Sequence, residues 1–139
     1  MKIFLYYIGR PKDPHTNAVA EDFLARAARY APCEMREIKP ERTDLWTKHA
    51  SARKILLDPA GKSLDSPRFA SLIAKSEMEG RDLVFLIGGH DGLPPGWAAR
   101  ADLLLSLSAM TFPHELARAM LAEQIYRGFA ILRNHPYVR

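Results

Sequence analysis

Two glycines, a histidine, an aspartate and a third glycine, Gly88-Gly89-His90-Asp91-Gly92, follow directly on the apolar run Leu83-Val84-Phe85-Leu86-Ile87. Glycines at a strand end let backbone amides and carbonyls approach a flat ligand with no Cβ in the way. The same glycines also serve a tight strand-to-helix turn that needs positive φ, and the spacing does not choose between the two. The segment is neither a Gly-x-Gly-x-x-Gly fingerprint nor a phosphate loop, because no Gly-Lys-Ser/Thr follows. A second stretch, Leu107-Ser108-Ala109-Met110-Thr111-Phe112-Pro113-His114-Glu115, is a loop free of charge up to the proline that opens a helix. Its backbone amides are available to a ligand. Spacing alone favours a plainer job, with Ser108 or Thr111 capping the helix and Met110 and Phe112 filling the core.

A third set lies at the C-terminal end. Arg118, Glu123, Arg127 and Arg133 are charges on the last helix, and Glu123 with Arg127 forms an i,i+4 pair of ordinary surface kind. His135 and Tyr137 stand in a short polar tail. Such tails usually fray, but an ordered one would bring an imidazole and a phenol to a substrate. The five histidines are scattered without a ligand pattern, and the one cysteine, Cys33, leaves no Cys-based zinc site and no internal disulfide. No metal site is expected.

The elements that must position these residues alternate. Residues 2–8 read as a buried strand, followed by a loop rich in turn residues. Thr16 or Asn17 is expected to cap a helix with Val19, Phe23, Ala27 and Tyr30 on its apolar face, ended by Pro32. Residues 33–38 are a weaker strand, and 39–53 is polar and hard to read. A third strand over 54–58 gives way to a Pro59-Ala60-Gly61-Lys62 turn. Ser66-Pro67 then opens a helix that Gly80 ends. Residues 83–87 form a fourth strand, 95–100 a short helix and 101–106 a fifth strand. The last helix runs from Pro113 to about Arg133 and packs through Leu121, Ile125, Phe129 and Leu132. This order predicts an α/β fold, a parallel sheet with helices on both faces, as one domain over 1–139. Ligands in such sheets sit beyond the carboxyl ends of the strands, near Leu57-Asp58, Gly88 and 107–113.

The chain has 139 residues, 47% of them hydrophobic, enough for one core. No apolar run reaches the roughly 20 residues that span a bilayer, and Met1-Lys2-Ile3-Phe4-Leu5 reads as a strand rather than a signal peptide, so a soluble intracellular protein is expected. A formal net charge of +4 favours an anionic partner without specifying one.

The block Phe85-Leu86-Ile87-Gly88-Gly89-His90-Asp91-Gly92-Leu93 resembles a signature of the RlmH family, ribosomal RNA methyltransferases of the SPOUT (trefoil-knot) superfamily. So do Leu104-Leu105-Ser106-Leu107-Ser108-Ala109-Met110-Thr111-Phe112-Pro113-His114 and the closing Tyr126-Arg127 with Asn134-His135-Pro136-Tyr137. The N-terminal strand and Leu56-Leu57-Asp58 with Gly61-Lys62 also fit, so the resemblance covers essentially the whole chain. It implies a parallel α/β SPOUT fold with a C-terminal trefoil knot, and a homodimer whose active site is completed across the interface. It implies S-adenosylmethionine as cofactor and methyl transfer to N3 of a pseudouridine in a 23S rRNA hairpin loop, on the assembled ribosome in the cytoplasm. Carried over by residue, the cofactor site falls on Leu57, Gly88, Leu107, Ser108, Ala109, Met110, Thr111 and Phe112. His135 would assist deprotonation or orient the base, with Tyr137 and Arg139 holding RNA. Arg127, Arg133 and the basic loops near Lys12 and Arg53 are expected phosphate contacts. Two departures stand out: 39–54 is contracted, and Val138 follows Tyr137 where the family commonly has histidine. They motivate an alternative, a non-catalytic ribosome-associated protein of the same fold.

Overall fold

The structure, a computed structural model, describes residues 1–138. Strand β1 (Ile3–Tyr7) is followed by helix α1 (Pro14–Ala27), strand β2 (Cys33–Glu37), the short helix α2 (Leu45–Lys48) and the long strand β3 (Arg53–Ser63). Helix α3 (Ser66–Glu79), strand β4 (Leu83–Ile87), the short helix α4 (Trp97–Arg100), strand β5 (Leu103–Ser106) and helix α5 (His114–Leu132) complete the order, and a 3-10 turn (Pro136–Val138) closes it. The five strands form one sheet in the order β2-β1-β4-β3-β5, and every pairing is parallel.

β1 and β4 are buried at every residue, as expected for continuous apolar runs covered on both faces of a parallel sheet. Because side chains alternate along a strand, Ile3, Leu5 and Tyr7 join Leu83, Phe85 and Ile87 on one face, packed under α1, α3 and α5 through Leu24, Ile73, Leu121 and Phe129. Phe4, Tyr6, Val84, Leu86 and Leu56 face the other way, under Leu45, Trp46 and Trp97. Helices do cover both faces, but the second cover is two helices of four residues each. The polar stretch 39–53 thus holds one of them, capped by Asp44, whose carboxylate accepts the Trp46 amide at 2.9 Å.

Several local expectations are corrected. Asp13, not Thr16 or Asn17, caps α1 and accepts the His15 amide at 3.1 Å. Pro14 opens that helix one turn earlier than expected, and the Thr16 hydroxyl itself donates to Asp13. Likewise Asp65 caps α3, accepting from Arg68 N at 2.9 Å, while the Ser66 hydroxyl donates to Gln124 at 2.7 Å. Gly80 does end α3, in the left-handed region at φ +64°. α1 stops at Ala27, before Pro32, whose carbonyl instead accepts the Ile3 amide at 2.9 Å. Val19, expected on the apolar face of α1, is 47% exposed. The turn expected at 59–62 is a bulge inside β3: Leu105 of β5 pairs first with Leu57 and again with Lys62. Turn residues there eject four residues from the ladder without ending the strand.

Candidate functional site

The carboxyl ends of β4 and β5, with the bulge of β3 beside them, open into a cavity of about 620 Å³, a size common for small-molecule sites. Leu57, Gly88, Leu107, Ser108, Met110, Thr111 and Phe112 line it, seven of the eight residues assigned to a cofactor; Ala109 sits in the same loop but not on the wall. His90, Asp58 and His114 add the polar groups. The glycine loop is tight in itself: a Cβ on Gly88 would lie 2.5 Å from the Gly92 carbonyl carbon, and Gly89 bridges Gly92. Gly88 is therefore needed by the loop's own path as well as by any close ligand.

The 107–113 loop does not cap the helix. Pro113 holds the N-cap position of α5 and makes no side-chain cap bond. Ser108 accepts the Met110 amide at 2.9 Å on its hydroxyl, and its carbonyl accepts the Ser106 hydroxyl at 3.0 Å. Met110 is 72% exposed rather than core, held out at the cavity wall. The uncapped first turn of α5 leaves backbone N–H groups beside the cavity, where Pro113, His114 and Ala117 form part of the lining.

Sequence reasoning missed what stands behind this turn. Glu115 accepts the amides of Lys12 at 2.7 Å and Asp13 at 3.2 Å, and the Asn17 side-chain amide at 2.9 Å. Those donors, led by the Lys12 amide and Asn17, hold its carboxyl at a pKa of about 2. Arg118, one helical turn on, is wholly buried. Its guanidinium stacks 3.4 Å from the Tyr7 ring centre and donates to Asn17 Oδ1, while Nε and Nη2 have no partner among the described residues. Burial pushes its pKa down. A signal existed: Arg118, Leu121, Ala122 and Ile125 share one helical face at i, i+3, i+4 and i+7, and all four are buried.

Through Val138 the tail is folded onto α5, and none of these residues lines the cavity. Tyr137 donates its hydroxyl to Glu123 Oε2 at 2.5 Å and its amide to His135 Nδ1 at 3.1 Å. Its ring lies 4.7 Å from that of Tyr126. Burial, then the Glu123 carboxylate, raises the Tyr137 pKa. Neither His135 nor Tyr137 lines the cavity. The His135 ring is 6.2 Å from the Tyr126 ring, and Tyr126 lies twelve residues along α5 from His114, roughly 18 Å at the helical rise. Arg139 lies outside the described residues.

The expected phosphate contacts divide. Arg53 is buried and bonded to Ser76 and Glu79, both at 2.6 Å. Arg127 holds Glu123 at 2.7 Å and Arg133 holds Glu77 at 2.8 Å. The Glu123–Arg127 pair is thus no idle surface pair, since it anchors Tyr137. Lys12 stays exposed. Among the described residues no group of three or more His, Cys, Asp or Glu side chains is set to hold a metal ion, and no helix is long and apolar enough to cross a membrane.

A parallel sheet with a ligand cavity at its carboxyl end is the class defined so far. The family described as "Predicted SPOUT methyltransferase" matches residues 1–137, and the chain belongs to that family. It is 81% identical over 139 residues to the ribosomal RNA large subunit methyltransferase H of Solibacter usitatus, covering 100% of both chains. It is 41% identical over 143 residues to the protein of the same name from Sorangium cellulosum, covering 99% of each. Among solved structures, an rRNA methyltransferase from Sinorhizobium meliloti with AdoMet bound superimposes with a TM-score of 0.54 at 16% identity. That match spans 91% of this chain and 56% of the other, and it shows a shared fold.

Proposed function

We propose that this chain, as a single domain, transfers a methyl group from S-adenosylmethionine to N3 of a pseudouridine in 23S rRNA. It acts on the assembled ribosome in the cytoplasm, as a homodimer whose C-terminal segment is threaded in a trefoil knot. The observation that carries the reading is the strand-end cavity, whose wall is built from the segments assigned to the cofactor, in a chain 81% identical over its whole length to a ribosomal RNA large subunit methyltransferase H.

The cavity suits the cofactor. Its lining is mainly apolar, through Leu57, Leu107, Met110 and Phe112, and backbone polar groups of Gly88 and the 107–113 loop would be the ones to hold an adenine. When bound, S-adenosylmethionine supplies an electrophilic methyl on a sulfonium. The apolar side chains keep water from it, and the glycine turn lets the backbone come close. Transfer to the target nitrogen would require that nitrogen to lose its imide proton. His135 assists that loss or orients the base, and Tyr137 with Arg139 holds the RNA. Because the tail of each chain packs on its own α5 away from its own cavity, these groups come from a second copy. The exposed Val19 of α1 (47%) and Leu116 of α5 (44%) offer apolar surface for that contact.

A catalytically retired protein of the same fold is the other reading, motivated by the contracted 39–54 segment and Val138. The formed cavity and the ordered tail favour the enzyme. Transfer of labelled methyl to ribosomes lacking the modification, with free rRNA alongside, tests it. Label on one pseudouridine, only in ribosomes, is expected; folded protein that neither labels nor binds cofactor would overturn the reading.

A further inference from the structure

The loop between β1 and α1 is drawn against the cavity from two sides. A Cβ on Gly89 would lie 2.9 Å from the Ile8 carbonyl oxygen, and one on Gly9 would lie 4.0 Å from His114 Nε2. Gly89 and His114 both line the cavity, so the loop stands directly behind two residues of its wall. Gly9 sits at φ +104°, where the chain turns off the strand. Past Ile8 and before the helix, the amides that find partners among the described residues are those of Lys12 and Asp13, and both go to Glu115. One carboxylate from the first turn of α5 therefore fixes the end of the loop, at Lys12 and Asp13.

What the loop offers is charge. Arg10 and Lys12 are exposed, and among the described residues neither forms an ion pair. The two nearby acids are otherwise engaged. Asp13 caps α1 and takes the Thr16 hydroxyl, while Glu115 is surrounded by three N–H donors. The lip thus keeps two unneutralised cations, Lys12 on a pinned backbone and Arg10 two residues before it. The other basic residues proposed for RNA, Arg53, Arg127 and Arg133, hold carboxylates of their own chain. Anionic RNA backbone is the partner such an edge fits, since each neutralised phosphate releases counterions, and a pre-fixed loop loses less entropy on binding.

We infer that the β1–α1 loop is a phosphate-contacting lip for the rRNA substrate, with Arg10 and Lys12 as its cations and Glu115 as the positioning residue that holds it beside the cavity. The inference rests on the methyltransferase reading for the identity of the RNA, but not for the existence of the lip. A competing source of anion is the carboxylate of the cofactor itself, and the test must separate the two.

The experiment compares wild type, the double variant Arg10→Ala/Lys12→Ala, Glu115→Gln and Glu115→Ala. Cofactor affinity is measured by titration calorimetry with S-adenosylmethionine, and kcat and KM for ribosomal substrate across a salt series. For the double variant, KM rises roughly tenfold and the slope of log(kcat/KM) against log salt falls by about 1 to 2, with cofactor affinity held. Glu115→Ala raises KM while keeping most of the salt slope, because its cations are present but loosely placed. Glu115→Gln, which keeps an acceptor oxygen, recovers part of that loss. A fall in cofactor affinity in the double variant would overturn the inference in favour of the cofactor carboxylate. An unchanged KM and salt slope, with wild type active, would overturn the lip and leave the methyltransferase reading standing. If wild type transfers no methyl, that reading fails instead, and direct binding of large-subunit rRNA by the same proteins decides the lip: equal affinity and salt slope for wild type and double variant would overturn it.

Discussion

Arg118 is wholly buried, with the Tyr7 ring against its guanidinium and Asn17 as its hydrogen-bond acceptor. A buried cation that loses its partner keeps its desolvation cost. Asn17→Ala is therefore expected to destabilise by about 2 kcal/mol, and Asn17→Ala/Arg118→Met to recover at least half of that. Urea unfolding of the two variants measures it, and a double variant no more stable than Asn17→Ala would show that the charge was not the liability. Glu115 gives a pH test at the same scale. Its folded carboxyl sits at about 2 against an ordinary 4.5, so the folded state holds that proton more weakly than the unfolded chain does. The stability it contributes is then whole above pH 4.5 and drains as pH falls toward 2. The gap in urea midpoint between wild type and Glu115→Gln should close over that window. Gly88 could be placed at a strand end from its type and position, and it lines the cavity there, but the sequence left open whether it serves a ligand or only the turn. The roles of Glu115 and Asn17 were not legible, because their partners lie about a hundred residues away in sequence, and no local pattern announces a contact of that range.

At the scale of elements, periodicity served where one kind of neighbour dominates. Residues 83–87 read as a strand and form β4, because every side chain there is buried in the sheet and the run is apolar throughout. It served less well where turn chemistry and strand pairing compete. Pro59-Ala60-Gly61-Lys62 has the residues of a turn, yet β5 continues the ladder beyond it. Gly61 fits because a Cβ there would lie 2.7 Å from the Leu104 carbonyl carbon. The packing of α5 on α3 turns on another glycine. A Cβ on Gly128 would lie 2.6 Å from Ile73 Cδ1, the flexible end of a buried side chain. Gly128→Ala gains about 1 kcal/mol of helix propensity and loses about 1 to 3 to overpacking, for a net loss of about 1. Ile73→Val removes the offending methyl. It should cost about 1 kcal/mol in the native background and nothing in Gly128→Ala. Thermal unfolding of the four proteins gives the coupling, and additive losses would mean the two side chains do not compete for that space.

For the whole molecule, the chain separates the cavity from the tail residues that the proposed mechanism brings to it. The cavity opens beside His114 at one end of α5, while His135 and Tyr137 are held against Tyr126 and Glu123 by the tail's own bonds. Nothing in the sequence could show this, since it depends on where a 3-10 turn lands on its own helix. In the proposed dimer, two copies related by a two-fold axis present each cavity with the other's tail. That geometry makes a subunit-mixing experiment decisive. Gly88→Ala breaks the cavity loop, its new Cβ falling 2.5 Å from Gly92 backbone; His135→Ala keeps the cavity and removes the tail imidazole. Each variant alone should transfer little methyl. Unfolded and refolded together at equal amounts, half of the dimers are mixed, and each mixed dimer has one site with an intact cavity and an intact tail, so activity returns to about a quarter of wild type. If each chain served its own cavity, a mixed dimer would contain no intact site and the mixture would stay as inactive as its parts.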